Sequence, residues 1–263
     1  MLDDTRRAVK RRRDPAVIRA FGTGARSLTL SEVASSSKLP AATARRCLHT
    51  LEELGYVTRS GRTFLLRPKV LELGAAYLQA MDVATLTKTR LEDLANQTGD
   101  SASLSVLDGV EIVYIARASV RTLLRLEAHV GSRFPAHPTS MGRVLLGGLG
   151  ADGLRRYFEQ AKLTPLTEHT VIQKPKLTRL IEECRRAGYS AVEDELAYGV
   201  IAVAVPVFDE SARVVAALNS SSHSKKITKA ELVRQRVGML EEVSRQISLE
   251  LRRVPGLSLS AQT

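Results

Sequence analysis

Between Pro40 and Gly55 the chain carries a pattern that only a helix with two unlike faces can use. Ala44, Cys47, Leu48, Leu51 and Leu54 recur at i, i+3, i+4 and i+7 spacing, which predicts one buried stripe. Pro40 can open such a helix and Gly55 can close it, giving about 14 residues and roughly 21 Å. The other face presents Thr43, Arg45, Arg46, His49 and Thr50. Two arginines among short hydroxyls suit the major groove, where Arg takes guanine bidentately and hydroxyls reach phosphates or bases. A solvated surface is the plain alternative, and His49 reads as a backbone contact or a solvated residue. Cys47, on the stripe, reads as core packing.

The neighbourhood of this helix decides between the two. Upstream, Asp14 is a plausible N-cap with Pro15 at the first helical position, and Val17, Ile18, Ala20 and Phe21 keep helical spacing until Gly22 and Gly24. Ser31 is expected to cap a second short helix, Glu32 to Ser35, with Leu28 and Leu30 as staple residues. The turn Ser37-Lys38-Leu39-Pro40 then leads into the long helix, which is the order of a helix-turn-helix. Beyond it, Tyr56 to Arg59 and Arg62 to Leu66 read as two strands around Ser60-Gly61. They form a wing with Arg59 and Arg62 placed to meet phosphate or the minor groove.

Charge agrees with this division. Residues 1–70 hold 15 Lys+Arg against 6 Asp+Glu, net +9, while the remaining residues hold 24 against 22, net +2. A concentrated basic segment suits a polyanion, since each neutralised phosphate releases counterions. Pro68 with Val70, Leu71, Leu73, Ala76, Tyr77 and Leu78 predicts a linking helix to about Asp82. The expected organisation is a DNA-binding head (1–67), a linker helix (68–82) and a larger domain (83–263).

The larger domain reads as α+β. A helix from about Ala84 to Asn96 precedes a hairpin, Ala102 to Leu107 and Val110 to Ala116 around Asp108-Gly109. Thr122 to Leu126 is a further expected strand, and Gly131 to Pro138 a loop entering a helix, Ser140 to Leu146. Helices at Asp152 to Phe158 and Lys176 to Ala187 follow. The domain ends with strands at Tyr189 to Val192, Ile201 to Val207 and Arg213 to Asn219, and a helix from Thr228 to about Arg252.

No run approaches the roughly 20 apolar residues of a membrane helix, and the N-terminus lacks the apolar stretch of a secretion signal, so a cytoplasmic, membrane-free protein is expected. Two cysteines, Cys47 and Cys184, without C-x-x-C spacing support neither a metal site nor a disulfide framework, and no cofactor motif is present. An enzyme using Glu193, Asp194, Glu195 and His223 as acid/base groups is a competing reading. It lacks nucleophile-base spacing, a metal quartet and a phosphate loop, because Gly147-Gly148-Leu149-Gly150 follows a helix rather than a strand. An architectural DNA-coating protein would explain the charge but not the nearly neutral second domain.

Several segments together resemble one family, the IclR transcriptional regulators. They are Leu28 to Ala34, Leu39 to Arg46, Leu51 to Val57, Thr139 to Leu146, Gly199 to Pro206 and Val214 to Asn219. The stretches Thr139-Ser-Met-Gly-Arg143 and Ala216-Ala-Leu-Asn-Ser-Ser-Ser-His223 look most like the branch controlling catabolism of aromatic acids through protocatechuate and β-ketoadipate. The resemblance implies a winged helix-turn-helix joined to a GAF-like effector domain with an antiparallel sheet, a homodimer or homotetramer, operator DNA as partner and a small organic acid as effector. Carried over residue by residue, the effector pocket is implied at Ser140, Met141, Ala202, Asn219 and Ser221.

The chain departs from the family at Ala41, where many members place Arg, and at Val192, where relatives start an acidic run. Independently, Ser140, Asn219 and Ser221 offer short hydroxyl and amide groups that can bond a carboxylate. The helix start at Thr139 or Ser140 presents free N–H groups. His223 and His137 are further candidates; for Arg143 a structural ion pair is the expected role.

Overall fold

The computed structural model describes residues 13–23, 26–75, 83–119 and 128–251. The chain divides into two compact units, 1–77 and 78–263. The expected strand at Thr122 to Leu126 and the second half of the linking helix lie outside the described residues.

In the first unit, α1 (Arg13–Ala20), α2 (Leu30–Ser37) and α3 (Ala41–Glu53) pack around Val17, Phe21, Val33, Ala44, Leu48 and Leu51. Asp14 sits in the first turn of α1 rather than before it. The cap of α2 is Thr29, not Ser31. Thr29 Oγ1 accepts from the Glu32 amide and the Glu32 carboxylate accepts from the Thr29 amide, a reciprocal capping box that begins the helix at Leu30. In α3, Ala44, Cys47, Leu48 and Leu51 are buried, but Leu54 is 53% exposed. It lies just past the helix, where Gly55 takes φ +79° and turns the chain towards the wing. β1 (Leu28–Thr29), β2 (Val57–Ser60) and β3 (Thr63–Leu66) form a sheet in the order β1-β3-β2. The two-residue β1 escaped the sequence reading. A 3₁₀ turn, Pro68–Val70, continues into helical residues 71–75.

The second unit is built on α4 (Val83–Thr98), β4 (Ser101–Asp108), β5 (Glu111–Ala118), β6 (Arg133–Pro135), α5 (Ser140–Gly148), α6 (Ala151–Gln160), α7 (Lys174–Ala187), β7 (Ser190–Glu193), β8 (Val200–Phe208), β9 (Val214–His223) and α8 (Lys229–Leu251). All pairs in its six-stranded sheet, β6-β5-β4-β9-β8-β7, are antiparallel. β6 pairs with β5 inside the segment expected to be loop. One sheet face presents Leu104, Val106, Ile201, Val203, Val205 and Leu218 to α4 and α8. The other presents Ile112, Tyr114, Ala204 and Ala217 to α5, α6 and α7, through Met141, Leu145, Tyr157 and Ile181. Asp100, 1% exposed, ties the two ends of the first layer together: Lys226 and Arg236, either side of the start of α8, reach it at 3.1 and 3.0 Å.

Candidate functional site

Two surfaces bring candidate residues together, one in each unit. On α3, Arg45, Arg46, His49 and Thr50 are exposed and Thr43 is partly so, all opposite the buried stripe. His49 stands 3.5 Å from Glu53 on the same helix. The Thr50 hydroxyl donates to the Arg46 carbonyl, which leaves its oxygen as an acceptor. Both arginines are without a carboxylate partner among the described residues. The N-terminus of α3 has Pro40 as its cap with no side-chain bond, and Ala41 and Ala42 behind it are exposed. In the wing, the Arg59 Nε donates to the Gly61 carbonyl, fixing that guanidinium at the turn, and Arg62 is exposed beside it. Lys38, exposed at φ 55° between α2 and α3, adds a cation that sequence reasoning did not single out.

In the second unit, the sheet face under α5 carries the effector candidates. Register places Ser101, Ser103 and Ser105 of β4 on one face, opposite Ser221, Asn219 and Ala217 of β9. Ala202 and Ala204 of β8 lie opposite Ser221 and Asn219 on the far side. The central strands therefore contribute a polar patch bordered by alanines. The first turn of α5 closes one end: Met141 Sδ lies 3.1 Å from the Ser105 hydroxyl. Thr139 caps α5 by accepting from the Gly142 amide, and Ser140 is 2% exposed. Gly142 is required by close approach, since a Cβ there would overlap the Ala136 backbone.

Arg117 of β5 was missed from sequence. It lies opposite Ser103 and is partly buried. Its Nη1 donates to the Ser103 hydroxyl at 3.0 Å and its Nη2 to the Ser101 hydroxyl at 3.1 Å. Burial pulls its pKa below the ordinary arginine value, with Tyr114 opposing. Tyr114 itself is pushed up to about 12 by burial and stays a neutral phenol. Asn219 is 3% exposed, and its carboxamide oxygen finds no partner among the described residues. The signal available from sequence was parity: Ser101, Ser103 and Ser105 alternate with Ala102, Leu104 and Val106.

The remaining candidates are engaged elsewhere. The His223 ring lies over Gly199, where a Cβ would come within 2.9 Å of Nε2, and its Nδ1 accepts from the Lys225 amide. Arg143 is 3% exposed and pairs with Glu195. His137 stands 3.2 Å from the Thr164 carbonyl, and burial lowers its pKa. The acidic run is spent on structure as well. Asp194 Oδ1 accepts from the Gly199 amide to close a turn, while Glu195 takes the Val171 amide besides Arg143. Burial raises the Cys184 thiol to about 11, so it is no nucleophile at neutral pH. A separate groove of about 510 Å³ between α7, β7 and the start of α8 is lined by Arg143, Leu180, Cys184 and Tyr189 and does not reach Ser140, Met141, Ala202, Asn219, Ser221 or His223.

Comparison with known proteins bears on both units. Residues 16–61 match the family model described as the IclR helix-turn-helix domain, and residues 75–249 match the bacterial transcriptional regulator IclR C-terminal model. The chain is 40% identical over 237 residues to the Pca regulon regulatory protein of Pseudomonas putida, covering 90% of this chain and 81% of that one. A solved structure from Rhodococcus sp. RHA1, described as a transcriptional regulator, superposes with a TM-score of 0.80 at 37% identity over 93% of this chain and 98% of its own. The inducer-binding domain of a PobR double mutant from Acinetobacter, solved with 3-hydroxybenzoic acid, gives a TM-score of 0.58 at 31% identity, covering 65% of this chain and 97% of its own.

Proposed function

The chain belongs to the IclR family of bacterial transcriptional regulators and is a DNA-binding regulator rather than an enzyme, and from that premise we propose that a small organic acid sets its operator binding. The observation that carries the reading is the polar sheet face in the second unit. Arg117, Ser101, Ser103 and Asn219 gather there under the start of α5, with one guanidinium lacking a carboxylate among the described residues. Such a face attracts an anion. The Pca regulator and the hydroxybenzoate-bound PobR domain among its relatives support an aromatic or ring-cleavage-derived acid.

In this reading α3 and the wing, with Thr43, Arg45, Arg46, His49, Thr50, Arg59 and Arg62, read the operator. Ser140, Met141, Ala202, Asn219 and Ser221 surround the effector, and His223 stands at the rim. Residues 1–67 form the head, 68–82 the connection and 83–263 the sensor. Two copies act together, because paired half-sites need two heads. Support for this is the exposure of Leu71 at 74% and Leu73 at 53%, apolar side chains left uncovered among the described residues. Effector binding shifts the population between two arrangements of the paired sensors, to the extent that it binds them unequally. No described helix is long and apolar enough to cross a membrane, and a regulator of DNA works in the cytoplasm.

Footprinting with and without an acid panel tests the whole reading. A discrete protected promoter site that changes with one acid supports it. Uniform coating, or protection indifferent to every acid, overturns it.

A further inference from the structure

We propose that Arg117 is the carboxylate anchor of the sensor and that the site accepts an acid carrying a single carboxylate. This rests on the effector reading above and narrows it, assigning the charge and the geometry and selecting aromatic monocarboxylates over dicarboxylic ring-cleavage products.

The guanidinium does not project from β5 into open space. Its bonds to Ser103 and Ser101 lay it across β4 on the face that also carries Asn219 and Ser221. Directly opposed side chains in antiparallel strands have Cβ atoms about 4.5–5.5 Å apart. An anion seated on the guanidinium therefore falls within reach of both Asn219 and Ser221. Serine hydroxyls are weak company for a partly buried cation, and a carboxylate presents the two oxygens that match its planar fork. Asn219 adds a second mark of an unfilled site, because a carboxamide this deeply buried is ordinarily bonded, and its oxygen is not.

The count of charges limits the ligand. Arg143, a guanidinium on α5 itself, is neutralised by Glu195. The His137 ring is held at the Thr164 carbonyl and the His223 ring at the Lys225 amide. Among the described residues of this face Arg117 is the one cation left without an acid. The rest of the floor, Ala202, Ala204, Met141 and Val192, is apolar and buried. A second carboxylate would be desolvated there without a partner, which is costly, whereas a ring or short hydrocarbon would be favoured.

Isothermal titration of the full chain with benzoate, 4-hydroxybenzoate, 3,4-dihydroxybenzoate, 4-hydroxybenzamide and adipate tests the proposal. The expected result is binding of at least one benzoate, with 4-hydroxybenzamide and adipate roughly 10- to 100-fold weaker than the best acid, the factor of a charge-assisted contact. Arg117→Gln should erase the preference for acid over amide. Arg117→Lys, which keeps the charge and loses the fork, should restore part of it and so separates lost chemistry from lost fold. An undiminished preference in Arg117→Gln overturns the anchor, and adipate binding as tightly as the benzoates overturns the single-carboxylate rule. If no acid binds while operator binding is intact, the effector reading itself falls, and this proposal with it.

Discussion

The Arg143 guanidinium and the Glu195 carboxylate meet in the interior of the second unit, Nη2 2.5 Å from Oε2, with side chains 4% and 9% exposed. The pair joins the first turn of α5 to the turn between β7 and β8. Each partner has a further bond: Arg143 Nε donates to the His137 carbonyl, and Glu195 accepts the Val171 amide. Removing one partner leaves an uncompensated buried charge. Arg143→Met or Glu195→Leu alone should therefore cost about 3–5 kcal/mol of unfolding free energy, while the double variant should cost much less than the sum. Urea denaturation followed by a signal from the second unit measures this, and additive losses would show that the two charges are independent.

His137 beside this pair gives a pH dependence. Burial is the largest influence on its ring and lowers its pKa, with the Thr164 carbonyl opposing, Arg143 lowering it further and Glu195 raising it. The unfolded chain then takes up a proton near the ordinary value of about 6.5 while the folded chain does not. Its contribution is constant above that pH, and stability declines as pH falls below it until the folded pKa is reached. His137→Gln keeps a donor for Thr164 and has no proton to gain. The loss of stability between pH 7 and pH 5 should be smaller in that variant, and an identical slope would remove His137 as the cause.

Gly142 permits the close approach that sets the start of α5 over the sheet. A methyl group there would collide with the Ala136 backbone, which cannot move aside as a flexible side chain would. Gly142→Ala should cost about 3 kcal/mol or more and displace Ser140 and Met141 from the polar face. Gly238→Ala, inside α8 where the added Cβ meets nothing within 4 Å, is the control and should equal or slightly exceed wild type. Thermal midpoints of the two variants, followed by acid titration of each, give the comparison.

These sites differ in how legible they were from residues alone. The stripe of α3 and its basic face follow from spacing within one helix, and the structure keeps them except at Leu54, which lies past the last turn. The cap of α2 was readable too, because Thr29 and Glu32 have the capping-box spacing and Ser31 does not. β1 and β6 are two and three residues long and exist only through partners distant in sequence, so no periodicity announces them. Arg143 and Glu195 are 52 positions apart. Their meeting depends on how α5 and the β7–β8 turn pack, which spacing does not encode. Arg117 was hidden differently: alternation shows that Ser101, Ser103 and Ser105 share a face, but only strand order sets Arg117 beside them and Asn219 beyond.

Arg45 and Arg62 separate the two ways in which the head should hold DNA. Arg45 projects from the exposed face of α3, where a recognition helix meets base edges, and Arg62 stands at the wing turn. If Arg45 takes a guanine bidentately, Arg45→Ala should weaken operator binding by roughly 1–3 kcal/mol and relax preference at one base pair in each half-site. Arg62→Ala should weaken binding to all sequences alike and reduce the slope of log K against log salt by about 1 for each lost phosphate contact. Arg59 differs from Arg62 in being fixed by the Gly61 carbonyl, so replacing it should also loosen the turn. Gel-shift affinities over a salt series, on operator and on scrambled DNA, distinguish these roles. Unchanged base preference in Arg45→Ala would remove that face of α3 from sequence reading and leave its charge as a surface property.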